Sequence, residues 1–367
     1  MSVRRARDLV MSYGWNSTCY QILNPGIEHW FPSTIPAVVG YTRRHRLLLV
    51  AGAPVCAPEM LGRVSHEFEA FAHQQGCRVC YVCAEERLRS LFADSTSHAT
   101  ITLGAQPVWD PRNWQATVEG TSAIRAQLNR SRNKSVSVEA VSAEEAAREP
   151  ELRRVLNEWL RARRLPPLHF LVSPHVLEGD GSDRVVLVAK HGGRLVAYLV
   201  ASPVVAKEGY LVELLARSPS APNGTSELLI DNAMRRFAEY DKSYATLGLV
   251  ALSNSAAKGI RNNPLWLRSM MQFARLHANR FYNFRGLEHF RVKMSPRVWE
   301  PVYAISNEKH FSPSTLYSMG AAFSGISPLV AIGTGIMHAI GNELRGRVGK
   351  SGVGKSGVGK SGVGKSG

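Results

Sequence analysis

The residues best suited to chemistry lie around a Pro-Asn-Gly turn in the second half of the chain. Two carboxylates, Glu213 and Glu227, flank this turn, and a carboxylate can remove the proton from an attacking hydroxyl. Arg217, Asn223 and the main-chain amide of Gly224 could donate hydrogen bonds to a developing oxyanion. Structural interpretations stay open, because acids are favoured in the first turn of a helix and Asn-Gly is a common turn.

An alternation of strands and helix must position this turn. Period-two and helical patterns predict three strands, one helix and a last strand: Arg184–Lys190, Arg194–Pro203, Tyr210–Leu215, Ser226–Tyr240 and Ala245–Leu252. His191-Gly192-Gly193 is a hairpin signal between the first two. This order is typical of GNAT-type acyltransferases, in which a splayed sheet holds donor and acceptor, although many α/β folds share it.

The first part of the chain also predicts a small α/β domain. Ala37–Tyr41 and Leu47–Ala51 are apolar runs expected to pair as strands. Pro58–Gln75 has apolar residues at helical spacing and is followed by a strand at Arg78–Cys83. A further helix is predicted over Ala143–Arg164.

Three cysteines, Cys77, Cys80 and Cys83, form a CxxCxxC run that raises the question of a metal centre. Iron–sulfur clusters generally need a fourth thiolate, and Cys56 and Cys19 lie well upstream. The run also has the small and β-branched residues of a buried strand. The sequence therefore favours core cysteines, and it predicts no metal and no cofactor.

The charge balance indicates a polyanionic partner. The formal net charge is +16 and the pI is about 9.9, which suits nucleic acid or an anionic membrane surface. A basic patch occupies 125–134 and includes Arg130. The first ten residues are basic but lack the apolar core of a secretory signal, so the chain is expected to begin in the cytoplasm.

The C-terminal part changes character. No Asp, Glu, Lys or Arg occurs from Phe311 to Asn342, which predicts either a membrane-associated segment over 311–342 or a small-residue helix packed on the domain. Residues 348–367 repeat Val-Gly-Lys-Ser-Gly and predict a flexible polybasic tail. Its GxxxxGKS spacing has no strand and helix around it, so a nucleotide site is not predicted.

Two longer segments have a specific order of residues rather than a general periodicity. Val212–Leu229 reads VELLARSPSAPNGTSELL and is followed by ATLGLVALS at Ala245–Ser253; Phe281–Tyr303 reads FYNFRGLEHFRVKMSPRVWEPVY. Together they resemble the C-terminal catalytic region of phosphatidylglycerol lysyltransferases. The resemblance extends more loosely over roughly residues 13–304.

That resemblance implies tandem GNAT-like domains, each a mixed sheet flanked by helices, at 13–123 and 124–305, with the active site chiefly in the second. It implies transfer of an amino acid from aminoacyl-tRNA to the hydroxyl of an anionic membrane lipid such as phosphatidylglycerol, at the inner face of the membrane. The residues expected to bind lipid phosphate or the tRNA terminus, besides Gly224, are Arg130, Arg285, Arg291 and Lys293.

The sequence departs from the family pattern at three positions. Ala216 stands where a basic residue is usual, Val292 where an acid is usual, and Glu213 where an aspartate is usual. These departures bear on amino-acid specificity and activity rather than on the fold. The multi-span lipid-flipping region of many relatives is not in this sequence, so no flipping of the product is expected.

Two alternatives stay open. A GNAT-type acyltransferase acting on a small amine would need a Q/R-x-x-G-x-G/A turn for its thioester cofactor, and Ser218–Thr225 lacks that spacing. A non-catalytic RNA- or membrane-binding relative would have the same basic surface, which therefore does not discriminate between them.

Overall fold

The chain folds around one mixed β-sheet flanked by helices. The computed structural model describes residues 2–162, 170–172, 174–178, 181–277 and 284–324. Within these ranges the sheet has twelve strands, and residues 1–325 form one compact unit. The predicted α/β class is confirmed, while the division into domains at 13–123 and 124–305 stays a prediction.

The first part of the chain supplies one end of the sheet. Its elements are α1 (Ser2–Tyr13), β1 (Glu28–Trp30), β2 (Val39–Arg44), β3 (Leu47–Ala51), α2 (Leu61–Gln74), β4 (Arg78–Ala84), α3 (Glu86–Leu91) and β5 (Ala99–Trp109). The predicted strand pair is present, because β2 and β3 pair antiparallel. The predicted helix begins at Leu61, after a 3-10 turn at Pro58–Met60, and ends before Gly76, whose φ is +64°.

The middle of the chain is mainly helical. It contains α4 (Trp114–Gly120), α5 (Ser122–Arg132), β6 (Val136–Val141), α6 (Ala143–Arg148) and α7 (Pro150–Ala162). The single helix predicted over Ala143–Arg164 is wrong as one element, since it breaks at Glu149. The ring of Pro150 disfavours helical dihedrals for the preceding residue, and Glu149 is extended, with φ −76° and ψ 110°.

The third part contains the predicted hairpin and helix. Its elements are β7 (Val185–His191), β8 (Arg194–Val204), β9 (Gly209–Arg217), α8 (Thr225–Glu239), β10 (Tyr244–Thr246) and β11 (Val250–Ala251). Gly192 and Gly193 turn the hairpin at φ +57° and +76°. The strand predicted over Ala245–Leu252 is interrupted, because β10 and β11 are separate short strands.

The last described elements are α9 (Ala257–Arg261), α10 (Leu265–His277), α11 (Phe284–Lys293), β12 (Val298–Ser306) and α12 (Pro313–Ser324). Helix α12 occupies the start of the uncharged segment predicted at 311–342; residues 325–342 and the tail at 348–367 lie outside the described residues. Within the described part of the chain, no helix is both long enough and apolar enough to span a bilayer.

The strand order combines distant parts of the chain in one sheet. It runs β1-β2-β3-β4-β12-β5-β10-β9-β8-β7-β6. Strand β12 pairs antiparallel with both β4 and β5. The last strand in sequence therefore lies between two strands of the first part of the chain.

The cysteine run forms part of the core. All five cysteines of the sequence are buried free thiols. Cys77, directly before β4, packs in the same cluster as Val79 on one face of the strand, whereas Cys80 and Cys83 pack into the core on the other face. Among the described residues no group of three or more His, Cys, Asp or Glu side chains is arranged to hold a metal. The three thiols of the run therefore do not converge on one point.

Candidate active site

A bulge and a divergence of strands shape the sheet around β9. Opposite β8, Val200 pairs with Leu214 and Ala201 pairs with Val212, so Glu213 is the extra residue of a β-bulge. On the other edge, β9 pairs in parallel with β10 only from Gly209 to Leu211. Beyond Leu211 no described strand pairs with this edge, because β11 pairs with β5 instead. We call the place where the unpaired edge, Val212–Arg217, separates from β11 the cleft.

Arg291 holds the other side of this cleft. Its guanidinium donates hydrogen bonds to the main-chain oxygens of Leu247 and Leu249, at 2.5 and 3.0 Å. These carbonyls belong to Leu247–Leu249, the connection between β10 and β11, where the chain turns away from β9. Arg291 was predicted to bind substrate; in the structure at least part of its hydrogen-bonding capacity stabilises the divergence of the two strands.

Helix α11, which carries Arg291, is fixed to the segment after β11. The Oε1 atom of Glu288 accepts hydrogen bonds from the hydroxyl of Ser253 and the main-chain amide of Asn254, at 2.8 and 2.7 Å. The cleft wall and α11 are therefore one connected unit.

The N-terminus of α8 brings together three of the predicted residues. Gly224 begins the helix at φ +93°, and a Cβ atom there would lie 2.3 Å from the main-chain oxygen of Gln127 on α5. Only glycine allows this approach of α8 to α5. Three residues later, Glu227 is 8% exposed, and its Oε1 atom lies 3.7 Å from Nζ of Lys293. The structure thus places an acid–base pair at the first turn of α8.

Two of the predicted hydrogen-bond donors have no described partner. Asn223 is exposed directly before Gly224, and Arg217 is half-buried at the end of β9. Within the described ranges neither side chain makes a hydrogen bond or an ion pair. Both therefore have donors available for a ligand near the turn.

Glu213 has a different environment from that expected of a free base. Its Oε1 atom lies 2.5 Å from Nε of Arg184, and both side chains are only 3% exposed. The amide of Gln21 donates to the second oxygen of Glu213 at 2.7 Å. Arg184 also donates to Asn24 at 2.8 Å and stacks 4.8 Å from the ring of Tyr20. The carboxylate therefore ties the bulge of β9 to the segment after α1.

A second buried polar network was not anticipated from the sequence. Lys207 lies 2.7 Å from Glu85 and 3.3 Å from Glu300. Gln106 donates to both glutamates, and the hydroxyl of Tyr244 donates to Glu300. Burial, followed by the charges of Glu85 and Glu300, raises the pKa of Tyr244 well above its ordinary value. The network fixes the start of β10 against β5 and β12.

The predicted basic residues are divided between structural and available roles. Arg132 pairs with Asp231 at 3.1 Å and so holds α5 against α8. Arg130 is exposed on α5 and has no partner among the described residues. Arg285 lies in α11, but its side chain lies outside the described part of the structure. Arg130 is thus the available cation on the helix that supports Gly224.

No sequence signal could have identified Arg184, Gln21 or Lys207. Each meets its partner through the fold of the sheet, and Gln21 and Glu213 are 192 residues apart. Arg184 stood at the start of a predicted strand, but nothing in its neighbourhood indicated an ion pair with Glu213.

Known proteins share this sequence pattern. The family described as phosphatidylglycerol lysyltransferase, C-terminal, matches residues 7–306. A phosphatidylglycerol lysyltransferase from Staphylococcus epidermidis is 21% identical over 313 residues, which cover 83% of this chain and 35% of the relative. One from Bacillus subtilis is 23% identical over 277 residues, which cover 75% and 31%. The chain thus spans about a third of the length of these curated relatives.

Solved structures share the fold. A C-terminal domain described as that of a lysylphosphatidylglycerol synthetase from Agrobacterium fabrum superposes with a TM-score of 0.71 at 22% identity, covering 88% of this chain and 97% of that one. L-PGS from Bacillus licheniformis gives a TM-score of 0.69 at 20% identity, covering 88% and 96%. The family match includes every strand from β1 to β12. The chain therefore belongs to the family of phosphatidylglycerol lysyltransferase C-terminal domains.

Proposed function

We propose that this chain transfers an amino acid from aminoacyl-tRNA to a hydroxyl of an anionic membrane lipid such as phosphatidylglycerol. Family membership and relatives named phosphatidylglycerol lysyltransferase support the reaction class. The structural observation that carries the proposal is the free edge of β9. This edge leads directly into the turn at Asn223-Gly224, and that turn precedes Glu227, which is paired with Lys293.

The donor is proposed to enter along this free edge. Main-chain N–H and C=O groups of an unpaired strand can bind the polar groups of an extended ligand. Arg217 stands at the end of the edge, and Arg130 is exposed on the adjoining helix α5. Their charges suit the phosphates next to the aminoacyl ester. Phosphate binding by Arg285 stays a prediction.

The transfer itself is an attack by the lipid hydroxyl oxygen on the aminoacyl carbonyl carbon. A new ester bond forms, the bond to the terminal ribose oxygen of the tRNA breaks, and one proton passes from the attacking to the leaving oxygen. We assign proton removal to Glu227, whose side chain is 11% exposed, because the 3% exposed carboxylate of Glu213 is occupied by Arg184. We assign proton donation to the leaving oxygen to Lys293, which lies 3.7 Å from Glu227.

The oxyanion formed during the attack needs donors that are fixed beforehand. The proposed hydrogen-bond donors are the amide of Gly224 and the side chain of Asn223. The positive end of the α8 dipole also stabilises negative charge at this point. No metal or nucleotide takes part in this scheme, because an aminoacyl ester is already activated.

The test measures label transfer into lipid. The full chain is incubated with aminoacyl-tRNAs that carry radiolabelled amino acids and with vesicles containing phosphatidylglycerol, and label is counted in the organic phase. We expect label in lipid, and a loss of about 10²–10⁴-fold in Glu227→Gln, the range for removal of a general base. Repeating the assay with one radiolabelled aminoacyl-tRNA at a time identifies the amino acid used.

A matched control tests whether the loss is local. Glu139 and Lys190 form a surface ion pair between β6 and β7, with side chains 49% and 37% exposed. Glu139→Gln and Lys190→Gln should transfer at the wild-type rate. Absence of label with every aminoacyl-tRNA, together with salt-sensitive binding to tRNA or vesicles, would support the non-catalytic alternative instead.

A further inference from the structure

The first two turns of α10 expose three large apolar side chains. Leu265 is 75% exposed, Met270 41% and Trp266 39%. Trp266 and Met270 are four residues apart and so lie on one side of the helix. On the inner side, Leu267 is fully buried and Met271 is 9% exposed. We call the set Leu265, Trp266 and Met270 the α10 patch.

The α10 patch stands on a rigid support. The side chain of Asn263 accepts from the amide of Thr102 at 2.8 Å and donates to the oxygen of Thr102 at 2.9 Å. These two bonds imitate the pairing of a neighbouring strand on β5. Gly259 packs so closely that a Cβ atom would lie 2.8 Å from the Thr102 hydroxyl. The start of α10 is therefore held in place, and exposure of the patch does not result from a frayed helix end.

In sequence, the charged residues (Asp, Glu, Lys and Arg) on either side of the patch are all basic. Residues 242–287 contain no Asp or Glu. Arg261 precedes the patch, Arg268 lies between Trp266 and Met270 in sequence, and both are exposed. The basic residues of this stretch are Lys242, Lys258, Arg261, Arg268, Arg275, Arg280 and Arg285. An apolar centre with a basic margin matches the boundary between acyl chains and anionic headgroups.

We propose that the α10 patch docks this chain on the surface of an anionic bilayer. Trp266 suits the headgroup level because indole is amphipathic, while Leu265 and Met270 insert below it. Arg261 and Arg268 reach the headgroup phosphates with their long side chains. RNA is the less suitable partner: its bases could stack on Trp266, but it has no apolar interior into which Leu265 and Met270 could insert.

The position of the patch connects it to the candidate site. This step alone rests on the proposed function. Helices α9 and α10 follow the turn at Ser253 and Asn254, and Glu288 joins this turn to the helix that carries Lys293. A membrane contact at α10 would therefore be connected through described elements to the cleft, so that the lipid acceptor is taken from the surface on which the protein sits.

The experiment is flotation of the full chain with vesicles of phosphatidylcholine, with and without phosphatidylglycerol. Raised ionic strength suppresses the purely electrostatic contribution of the tail lysines. Leu265→Ser/Trp266→Ser should lower binding at least about tenfold, since two apolar side chains no longer insert. Arg261→Gln/Arg268→Gln, at low salt, should lower binding to phosphatidylglycerol vesicles about fivefold for each charge and leave neutral vesicles unaffected.

A matched control uses exposed apolar residues elsewhere. Val3 and Leu91 are 47% and 44% exposed on α1 and α3, and Val3→Ser/Leu91→Ser should bind vesicles like the wild type. Wild-type binding by the Leu265→Ser/Trp266→Ser variant would overturn the proposal. Loss of tRNA binding in place of vesicle binding would also overturn it and would assign the patch to RNA.

A soluble acceptor separates docking from catalysis. With short-chain phosphatidylglycerol dispersed as monomers, the Leu265→Ser/Trp266→Ser variant should transfer at the wild-type rate, although its transfer to vesicles falls. Equal loss on both acceptors would contradict a docking role. A wild type that binds vesicles through the patch but transfers to neither acceptor would support docking and refute the proposed function.

Discussion

Arg184 and Glu213 form an ion pair that is almost completely excluded from solvent, with Nε and Oε1 2.5 Å apart and both side chains 3% exposed. It joins the residue directly before β7 to the bulge of β9, and Gln21, from the segment after α1, donates to the other oxygen of Glu213. Since β9 borders the cleft, the pair fixes one wall of the candidate site while both charges stay buried.

Breaking this pair should lower the stability of the protein. Arg184→Met leaves a buried carboxylate without a countercharge, and such losses cost about 3–5 kcal/mol in the free energy of unfolding. Denaturant unfolding followed by far-UV circular dichroism measures the change. Arg184→Met/Glu213→Leu should regain part of the loss, because no uncompensated charge is left. If Glu213→Gln abolished transfer but left unfolding unchanged, Glu213 would have a role in the chemistry itself.

Glu227 and Lys293 should act as a unit. If Glu227 removes the proton and Lys293 donates to the leaving oxygen, Lys293→Met lowers transfer, and Glu227→Gln/Lys293→Met is little worse than the more severe single variant. The quantity to measure is kcat with tRNA and lipid both saturating. Losses that multiply in the double variant would mean that the two side chains work independently.

Gly224 should tolerate no side chain. Gly224→Ala introduces a Cβ atom 2.3 Å from the oxygen of Gln127 at φ +93°, so α8 must move away from α5. Gly192→Ala is the control, because Gly192 also has a positive φ of +57° but has open space around it. The control should cost about 1–2 kcal/mol of unfolding free energy from backbone strain alone. We expect a larger loss, and reduced transfer, only in Gly224→Ala.

The buried thiols should make stability fall in alkaline solution. Burial raises the pKa of Cys19, Cys56 and Cys83 from 9.0 to about 12. A thiol whose folded-state pKa is raised contributes its full stability below the unfolded pKa, and this contribution is lost as pH rises from about 9 toward about 12. Each thiol contributes a slope of about 1.4 kcal/mol per pH unit in that window.

Unfolding titrations at several pH values measure this slope. Cys→Ala variants provide the comparison, since each should flatten the pH dependence by the contribution of one thiol. Thiol reagents at pH 8 should label the native chain slowly and the unfolded chain completely. Rapid labelling of the folded protein would contradict the burial of these side chains.

Local signals were sufficient for much of the fold. The two glycines of the β7–β8 hairpin, the amphipathic pattern of α8 and the apolar run of β4 each depend on residues near one another in sequence, and all three predictions are confirmed. The break before Pro150 could also have been predicted, because proline restricts the residue that precedes it.

The remaining features depend on contacts between distant residues. The divergence at Leu247–Leu249 is stabilised by Arg291, about forty residues later. The Glu213 bulge appears only when β8 is placed beside β9. The sequence predicts a site at the turn before α8, which stays a prediction, and it could not show that Arg184 already occupies one of the two candidate carboxylates.

The insertion of β12 between β4 and β5 sets an order for folding. During synthesis β4 and β5 are complete some two hundred residues before their shared neighbour emerges, because β12 spans Val298–Ser306. Until then the facing edges of both strands have unpaired backbone groups, which are the usual sites of aggregation. The nascent chain is therefore most vulnerable over this interval, and truncation before Val298 would make that vulnerability permanent.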